Sequence, residues 1–373
     1  MKDLVEILKD IVKINSMNPP GNENSMVDYI YNYFKDHRGK LIIKHKENRK
    51  SVIIKINGST DETVSFIGHI DTVSASRSDG WKYKPLDPVE ENGYIYGRGT
   101  SDMKSGVACM IYLAKKLINV STKKSYLFVF TADEEQGGMG IKDIMDKGVL
   151  DDTDFFVVPE PTSLNLGIKE KGALWIKFIL KGKSSHGAFP ENGVNAIDMN
   201  YSLIYKIRKS LEEINEKDNL LGWSTISNNK IVGGVQSNIV PNLCESYLDI
   251  RLTPKISNKE FIKIIDWAIM DIKKEYGQES SIEYEILNDR EAIEADLDNK
   301  YIKDFREIVE KINPEFQELG IKYYTDASDI IPRLKKPFII FGPGDENLCH
   351  QVNERVKIKN LKIALKIYEE FIV

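Results

Sequence analysis

Three adjacent carboxylates, Asp133, Glu134 and Glu135, follow the apolar segment FVFTA and precede two glycines. A short apolar run of this kind predicts a buried strand. Negative charge gathered at the end of such a strand is unfavourable unless a cation neutralises it, because buried charges lose their hydration. Alone, the tripeptide DEE is more typical of a solvated loop. Its interpretation therefore depends on what else the sequence places nearby.

Other side chains that bind metals occur at equivalent places along the chain. His69 and Asp71 follow one apolar segment, Glu160 follows another, and Asp102 comes directly before a helical pattern. The carboxyl ends of parallel strands line one crevice, which is where such folds bind ligands. We therefore expect these side chains to converge around a divalent cation, which would remove their mutual repulsion.

The elements that must position these residues alternate along the chain. Apolar runs predict strands at residues 51–56, 64–68, 126–132 and 155–159, and helical patterns separate them. Continuous apolar strands between helices are typical of an α/β fold, in which helices cover both faces of a mostly parallel sheet.

The pattern changes near residue 171. Residues 172–289 predict the order β-α-β-β-α-β, with a capping box from Ser257 to Glu260 at the start of the second helix. This α+β unit is expected to form a small domain of its own. It would be inserted into a catalytic, metal-binding domain formed by residues 1–171 and 290–373.

Composition excludes several classes of partner. The formal net charge is −5, with 52 basic and 57 acidic residues mixed along the chain, so no basic patch indicates nucleic-acid binding. No apolar stretch is long enough to span a membrane, and the start does not resemble a signal peptide. Three widely spaced cysteines favour a reducing compartment. These features predict a soluble, cytoplasmic protein with neither a nucleic-acid nor a membrane partner.

Some residues have a simpler interpretation. Gly97 and Gly99 resemble part of a dinucleotide-binding fingerprint, but Asp102 stands where its third glycine would be. His37 and His45 are expected on the surface, and Cys109 is expected in the core.

Taken together, the motifs resemble a known family, the dinuclear zinc amidohydrolases. This family includes acetylornithine deacetylase, succinyl-diaminopimelate desuccinylase, aminoacylase and carboxypeptidase G. The resemblance covers nearly the whole chain through the ordered motifs SMNPPGNE, GHIDTV, GRGTSDMKSG, TADEEQGG, PEP, SSHGAFPENGVNAI, SNIVP, DIRLTP, TDAS and FGPGDENLCHQVNE.

The resemblance implies two divalent metal ions per subunit, with Asp102 as the ligand that bridges them. One site would also contain His69 and Glu160, and the other would contain Glu135 and His350. Nitrogen and oxygen ligands of this kind suit zinc, while cobalt or manganese is also compatible with them. The resemblance further implies a cis peptide bond between Asp102 and Met103.

The same resemblance assigns catalytic roles. Asp71 would orient His69 through its second ring nitrogen. Glu134, which no metal needs, would be the general base beside its neighbouring ligand Glu135. The inserted domain, residues 172–289, would be a lid and dimerisation domain. His186 would reach the active site of the partner subunit in a homodimer formed through this domain, and stabilise the oxyanion there.

Further residues would contact the substrate. Asn238 and Arg251 match positions that hold the substrate carboxylate, and the backbone of Gly342 and Gly344 would form a wall of the site. A structural turn histidine at 186 and a strand-surface arginine at 251 remain the alternative interpretations.

The resemblance implies hydrolysis of a small-molecule amide. The residues in the later motifs favour an N-acyl amino acid, cleaved by a deacetylase or desuccinylase reaction. A dipeptidase or carboxypeptidase acting on a peptide substrate is the alternative within the family. A non-catalytic metal-containing ligand-binding protein is the alternative of another class, although the presence of Glu134 argues against it.

Overall fold

The computed structural model describes residues 3–75 and 80–372, and the chain divides into two compact units. Unit 1 comprises Met1–Ile168, Ala295–Leu319 and Thr325–Val373. Unit 2 comprises Lys169–Glu294 and Gly320–Tyr324. The inserted unit thus extends a few residues beyond the predicted range 172–289. It also includes a short later segment that the sequence pattern did not indicate.

Strands occur at all four places where apolar runs predict them, but the predicted alternation with helices fails once, because no helix separates the strands near residues 51–56 and 64–68. In chain order up to the insertion they are α1 (Leu4–Lys13), α2 (Asn24–Tyr33), β1 (Lys40–Lys44), β2 (Lys50–Ile56), β3 (Thr63–His69), β4 (Val89–Glu91), β5 (Tyr94–Tyr96), α3 (Lys104–Leu117), β6 (Ser125–Thr131), α4 (Met139–Asp146), β7 (Phe155–Val158) and β8 (Leu166–Glu170).

The remaining elements complete both units. They are β9 (Ala173–Lys181), α5 (Ala196–Ile214), β10 (Thr225–Gly233), β11 (Leu243–Arg251), α6 (Asn258–Tyr276), β12 (Ser281–Arg290), β13 (Ile293–Glu294), α7 (Lys300–Ile312), β14 (Glu318–Ile321), α8 (Ala327–Leu334), β15 (Phe338–Ile340), β16 (Arg355–Lys357) and α9 (Ile358–Phe371).

The large sheet has the strand order β1-β2-β6-β3-β7-β15-β8-β13, and β14 pairs with β8. Its centre, β6-β3-β7-β15, is parallel, whereas β1, β2, β8 and β13 pair antiparallel with their neighbours. The register aligns His69 at the end of β3 with Thr131 at the end of β6. The loops that follow these two strands therefore start side by side.

Apolar periodicity explains how the helices pack. In α1 the buried residues recur at helical spacing, and a capping box between Asp3 and Glu6 begins the helix. Helix α3, which begins two residues after Asp102, is buried over most of its length and packs on β3 and β6. The start of α3 is consequently held against the centre of the sheet.

Unit 2 contains a four-stranded antiparallel sheet with the order β10-β11-β9-β12. Helices α5 and α6 pack together, and both contribute to an apolar core with the inward residues of β9 and β11. The predicted capping box of Ser257 and Glu260 is present. Both predicted parts of the fold class, a mostly parallel α/β sheet and an α+β unit, are confirmed. None of the helices in the described ranges combines the length and apolar composition needed to cross a membrane.

Candidate metal centre and active site

Asp102 lies between two histidines that are far apart in the sequence. Its Oδ1 is 3.0 Å from Nε2 of His69, and its Oδ2 is 3.4 Å from Nε2 of His350. Each oxygen of one carboxylate therefore faces a different imidazole. This is the arrangement that a ligand bridging two cations requires.

Two further carboxylates complete the cluster. Oε1 of Glu160 is 3.6 Å from Nε2 of His69, and Oε2 of Glu135 is 2.9 Å from Nε2 of His350. Ligand atoms of His69, Asp102 and Glu135 all lie within 4.8 Å of one another. The structure thus brings all of the predicted metal ligands together around Asp102, with Glu160 beside His69 and Glu135 beside His350.

The sheet explains why these residues meet. His69 is the last residue of β3, and Glu135 and Glu160 lie in the loops that follow β6 and β7. These strands are parallel neighbours, so their carboxyl ends share one edge of the sheet. Asp102 enters from the loop before α3, and His350 enters from the segment between β15 and β16.

The electrostatics of the cluster favour added positive charge. Burial lowers the pKa of His69, but the charge of Glu160 and the hydrogen bond to Asp102 outweigh it and hold that pKa well above its usual value. Burial raises the pKa of Glu160 well above its usual range, and Asp102 adds to the effect. Hydrogen bonds to Asp102 and Glu135 raise the pKa of His350 to about 10. Imidazole nitrogens and buried carboxylates that attract protons in this way fit a divalent metal.

His69 is oriented differently from the expectation. Its Nδ1 donates to the backbone carbonyl of Asp71 at 3.0 Å, whereas the Asp71 carboxylate is 3.6 Å away, too far for a hydrogen bond. Because a carbonyl can only accept, this contact places the proton on Nδ1. The lone pair of Nε2 in the neutral ring then points at the cluster.

The carboxylate of Asp71 instead holds the acidic loop. It accepts the backbone N–H groups of Glu134, at 3.2 Å, and of Glu135, at 3.1 Å. It also accepts the side-chain amide of Asn18 at 2.9 Å. Asp71 thus fixes the two adjacent glutamates, and Glu134 is buried beside the cluster, where its charge contributes to the raised pKa of His69.

Asp133, the first carboxylate of the DEE run, has partners outside the group of candidate ligands. Its Oδ1 accepts from Arg49 at 2.6 Å and from Asn18 at 2.9 Å, and Arg49 also pairs with Glu23. The backbone of Asp133 is in the left-handed region, with φ of 72°. Sequence reasoning missed Asn18 and Glu23, although both lie within the motif SMNPPGNE, and it missed Arg49.

His45 corrects a sequence-based prediction. It was expected on the surface, but its side chain is fully buried. Its Nδ1 lies 2.8 Å from Asp143, its Nε2 lies 2.8 Å from Oγ of Ser51, and that oxygen accepts the backbone N–H of Ala132 at 3.0 Å. This buried chain supports the residue directly before the acidic loop. His37, of intermediate exposure, lies 2.7 Å from the carbonyl of Lys55, and Cys109 is in the core as expected.

Gly342 and Gly344 lie where other backbone segments approach closely. A Cβ atom at Gly342 would lie 2.4 Å from the carbonyl oxygen of Glu160, and one at Gly344 would lie 2.2 Å from that of Ser101. These glycines therefore allow the segments that carry Glu160 and Asp102 to pack closely. The peptide bond between Asp102 and Met103 is cis, as expected.

The other predicted residues belong to unit 2. His186 and Asn238 are exposed, and Nδ1 of His186 accepts the backbone N–H of Ala188 at 3.1 Å. Arg251 donates from Nε to Asp249 at 2.7 Å and from Nη2 at 3.1 Å, and its guanidinium lies over the ring of Tyr324. The ion pair fixes the plane of the guanidinium.

The fold and the histidine–carboxylate cluster define a metal-dependent hydrolase. The chain belongs to peptidase family M20/M25/M40, whose sequence profile matches residues 65–373. The resemblance inferred from the motifs is therefore confirmed, as is the predicted enzyme class, a metal-dependent hydrolase of peptides and related amides.

Individual relatives agree with this assignment. A metallohydrolase of Methanocaldococcus jannaschii is 28% identical, and the match covers 99% of this chain and 98% of the relative. A protein named probable succinyl-diaminopimelate desuccinylase from Staphylococcus aureus is 28% identical, with 98% of each chain covered. The crystal structure of an M20 family metallo-carboxypeptidase from Sulfolobus solfataricus has a TM-score of 0.79 at 18% identity, and covers 100% of this chain and 99% of that one.

Proposed function

We propose that this protein hydrolyses the amide bond of an N-acyl amino acid, in a deacetylase or desuccinylase reaction that depends on two divalent metal ions, with zinc as the preferred metal. The observation that carries this proposal is the position of Asp102, whose two oxygens face His69 and His350 separately. Glu160 would complete the first site and Glu135 the second.

Glu134 is the general base in this proposal. When bound, the metal ions would lower the pKa of a water molecule and polarise the substrate carbonyl. Glu134 takes a proton from the attacking water and passes it to the departing amine. Two observations support this role: Glu134 is buried next to the cluster, and Asp71 holds the backbone of both Glu134 and Glu135.

Two features favour an acyl-amino-acid substrate: the resemblance of the motifs to deacetylases and desuccinylases, and the name of one relative, a probable desuccinylase. N-succinyl-diaminopimelate and N-acetylornithine are the first candidates. A dipeptidase or carboxypeptidase would need the same metal ligands, so this reaction is the alternative. A purely structural metal site would have no use for a buried Glu134.

Unit 2 supplies the proposed substrate contacts. Arg251, held in a fixed plane by Asp249, would bind the substrate carboxylate together with Asn238. His186, whose Nδ1 accepts a backbone N–H, carries its proton on Nε2 and would donate from it to the oxyanion.

A homodimer through unit 2 would let His186 act on the partner's metals. Two surface features support this assembly. Strand β10 is an edge strand of its sheet with exposed Ile231 and Val232, and α5 exposes Tyr201 and Tyr205 one turn apart. An isologous contact between two copies would cover both features.

Turnover measurements on defined substrates test the proposal. The metal-free protein is loaded with zinc, cobalt or manganese and assayed with N-succinyl-diaminopimelate, N-acetylornithine, other N-acyl amino acids and dipeptides. Cleavage of an acyl amino acid, abolished in Glu134→Gln, is expected. Cleavage of dipeptides alone would support the peptidase alternative, and no turnover by the fully metallated protein would support the non-catalytic one.

A further inference from the structure

A buried carboxylate, that of Glu354, holds the loop that carries Asp102. Its Oε1 accepts the backbone N–H groups of Ser101, at 2.7 Å, and Asp102, at 3.0 Å. Its Oε2 accepts the N–H of Gly99 at 2.9 Å and Nη1 of Arg98 at 2.8 Å. One side chain thus receives donors along the whole turn that leads to the candidate bridging ligand.

Arg98 connects the same turn to the segment that carries His350. Besides Glu354, its Nη1 donates to the backbone carbonyl of Gln351, at 3.3 Å, and its guanidinium lies over the ring of Trp81. Glu354 itself follows His350 by four residues, and its own carbonyl accepts the N–H of Gly97 at 3.0 Å. The ion pair therefore joins the two loops that supply Asp102 and His350.

The two candidate metal sites depend on this ion pair to different degrees. His69 ends β3, and Glu160 follows β7 closely, so strand pairing in the sheet centre positions both. His350 lies in an irregular segment between β15 and β16, next to Gln351. The contacts of Arg98 and Glu354, together with the hydrogen bonds between Ser101 and Asp345, connect the segment of His350 to the turn before Asp102.

We propose that Arg98 and Glu354 are positioning residues that set the metal affinity of the Glu135–His350 site, and affect the His69–Glu160 site much less. The inference rests on the proposed dinuclear centre. A glutamine at 354 keeps the size of the side chain but replaces one acceptor oxygen with a donor NH₂ group, which would face backbone N–H groups or Arg98. Because α3 holds Asp102 against the centre of the sheet, the segment that carries His350 would then be the part that moves.

Metal titration of single-site variants tests this directly. Glu160→Gln leaves the Glu135–His350 site, and Glu135→Gln leaves the His69–Glu160 site. Zinc or cobalt affinity is measured for each parent with and without Glu354→Gln, by calorimetry or by cobalt absorbance. We expect the added substitution to weaken binding by about tenfold or more in the Glu160→Gln parent, and by much less in the other.

Controls separate positioning from general destabilisation. Circular dichroism of the metal-free variants verifies folding, and Glu369→Gln, which removes a surface ion pair with Lys116, should change neither affinity. Arg98→Lys keeps the positive charge but lacks the guanidinium that contacts both Glu354 and Gln351. It should repeat the selective loss if Glu354→Gln does not fold.

Equal losses at the two sites, or unchanged affinity at the Glu135–His350 site in folded variants, would overturn the inference. Failure of the Glu160→Gln parent itself to bind metal would instead contradict the proposed dinuclear centre, and the inference with it.

Discussion

Oε2 of Glu135 lies 2.9 Å from Nε2 of His350, a residue far away in the sequence. This contact separates the roles of two adjacent glutamates whose backbone N–H groups are both held by Asp71, because Glu135 faces a candidate ligand and the buried Glu134 is the proposed base. Glu134→Gln should therefore lower kcat/KM by about 10²- to 10⁴-fold and keep both metals. Glu135→Gln should lose metal. Metal analysis of both purified variants checks this, and equal metal loss in the two would contradict the assignment.

Sharing of His186 between subunits can be tested by complementation. Glu134→Ala and His186→Ala chains should each be inactive. A mixed dimer would contain one site with an intact Glu134 from one chain and an intact His186 from the other. With random exchange of equal amounts, about a quarter of the wild-type activity should return, because half of the dimers are mixed. If exchange is demonstrated and no activity returns, His186 does not act across a dimer.

Gly342 should be needed for metal binding because of its close backbone contacts. A Cβ at this position would lie 2.4 Å from the carbonyl oxygen of Glu160, so Gly342→Ala should displace that ligand and weaken the His69–Glu160 site. Gly93→Ala is the control. Gly93 has φ of 79° with no atom within 4 Å of the added Cβ, so its cost is about 1 to 2 kcal/mol of backbone strain without metal loss. Wild-type zinc affinity in Gly342→Ala would refute the prediction.

Ser51 should contribute to stability through the chain that supports the acidic loop. Ser51→Ala leaves the buried N–H of Ala132 without its acceptor and His45 without one of its partners. Urea denaturation should show a loss of about 1 to 3 kcal/mol in the free energy of unfolding. Ser280→Ala, at an exposed turn, should change it by less than about 0.5 kcal/mol. A similarly small change in Ser51→Ala would mean that the hydrogen-bond chain does not support the loop.

Local patterns in the sequence were sufficient to predict the elements around the site. The four strands whose ranges were predicted, now β2, β3, β6 and β7, begin and end within a residue of those ranges, because apolar runs are a short-range property. The family motifs likewise indicated the candidate ligands, since each ligand lies within a short motif such as GHIDTV or TADEEQGG.

Only the tertiary structure determined how these motifs come together. The strand order β6-β3-β7, which chain order does not reveal, places the loops carrying His69, Glu135 and Glu160 side by side. Burial of His45 depends on its contacts with Ser51 and Asp143. The position of Asp102 depends on Glu354, which is 252 residues further along the chain and whose Oε1 accepts the backbone N–H of Asp102. Such contacts form between segments that are far apart in the sequence, and packing determines them. The sequence alone therefore does not distinguish a polar residue that supports the site from a polar residue on the surface.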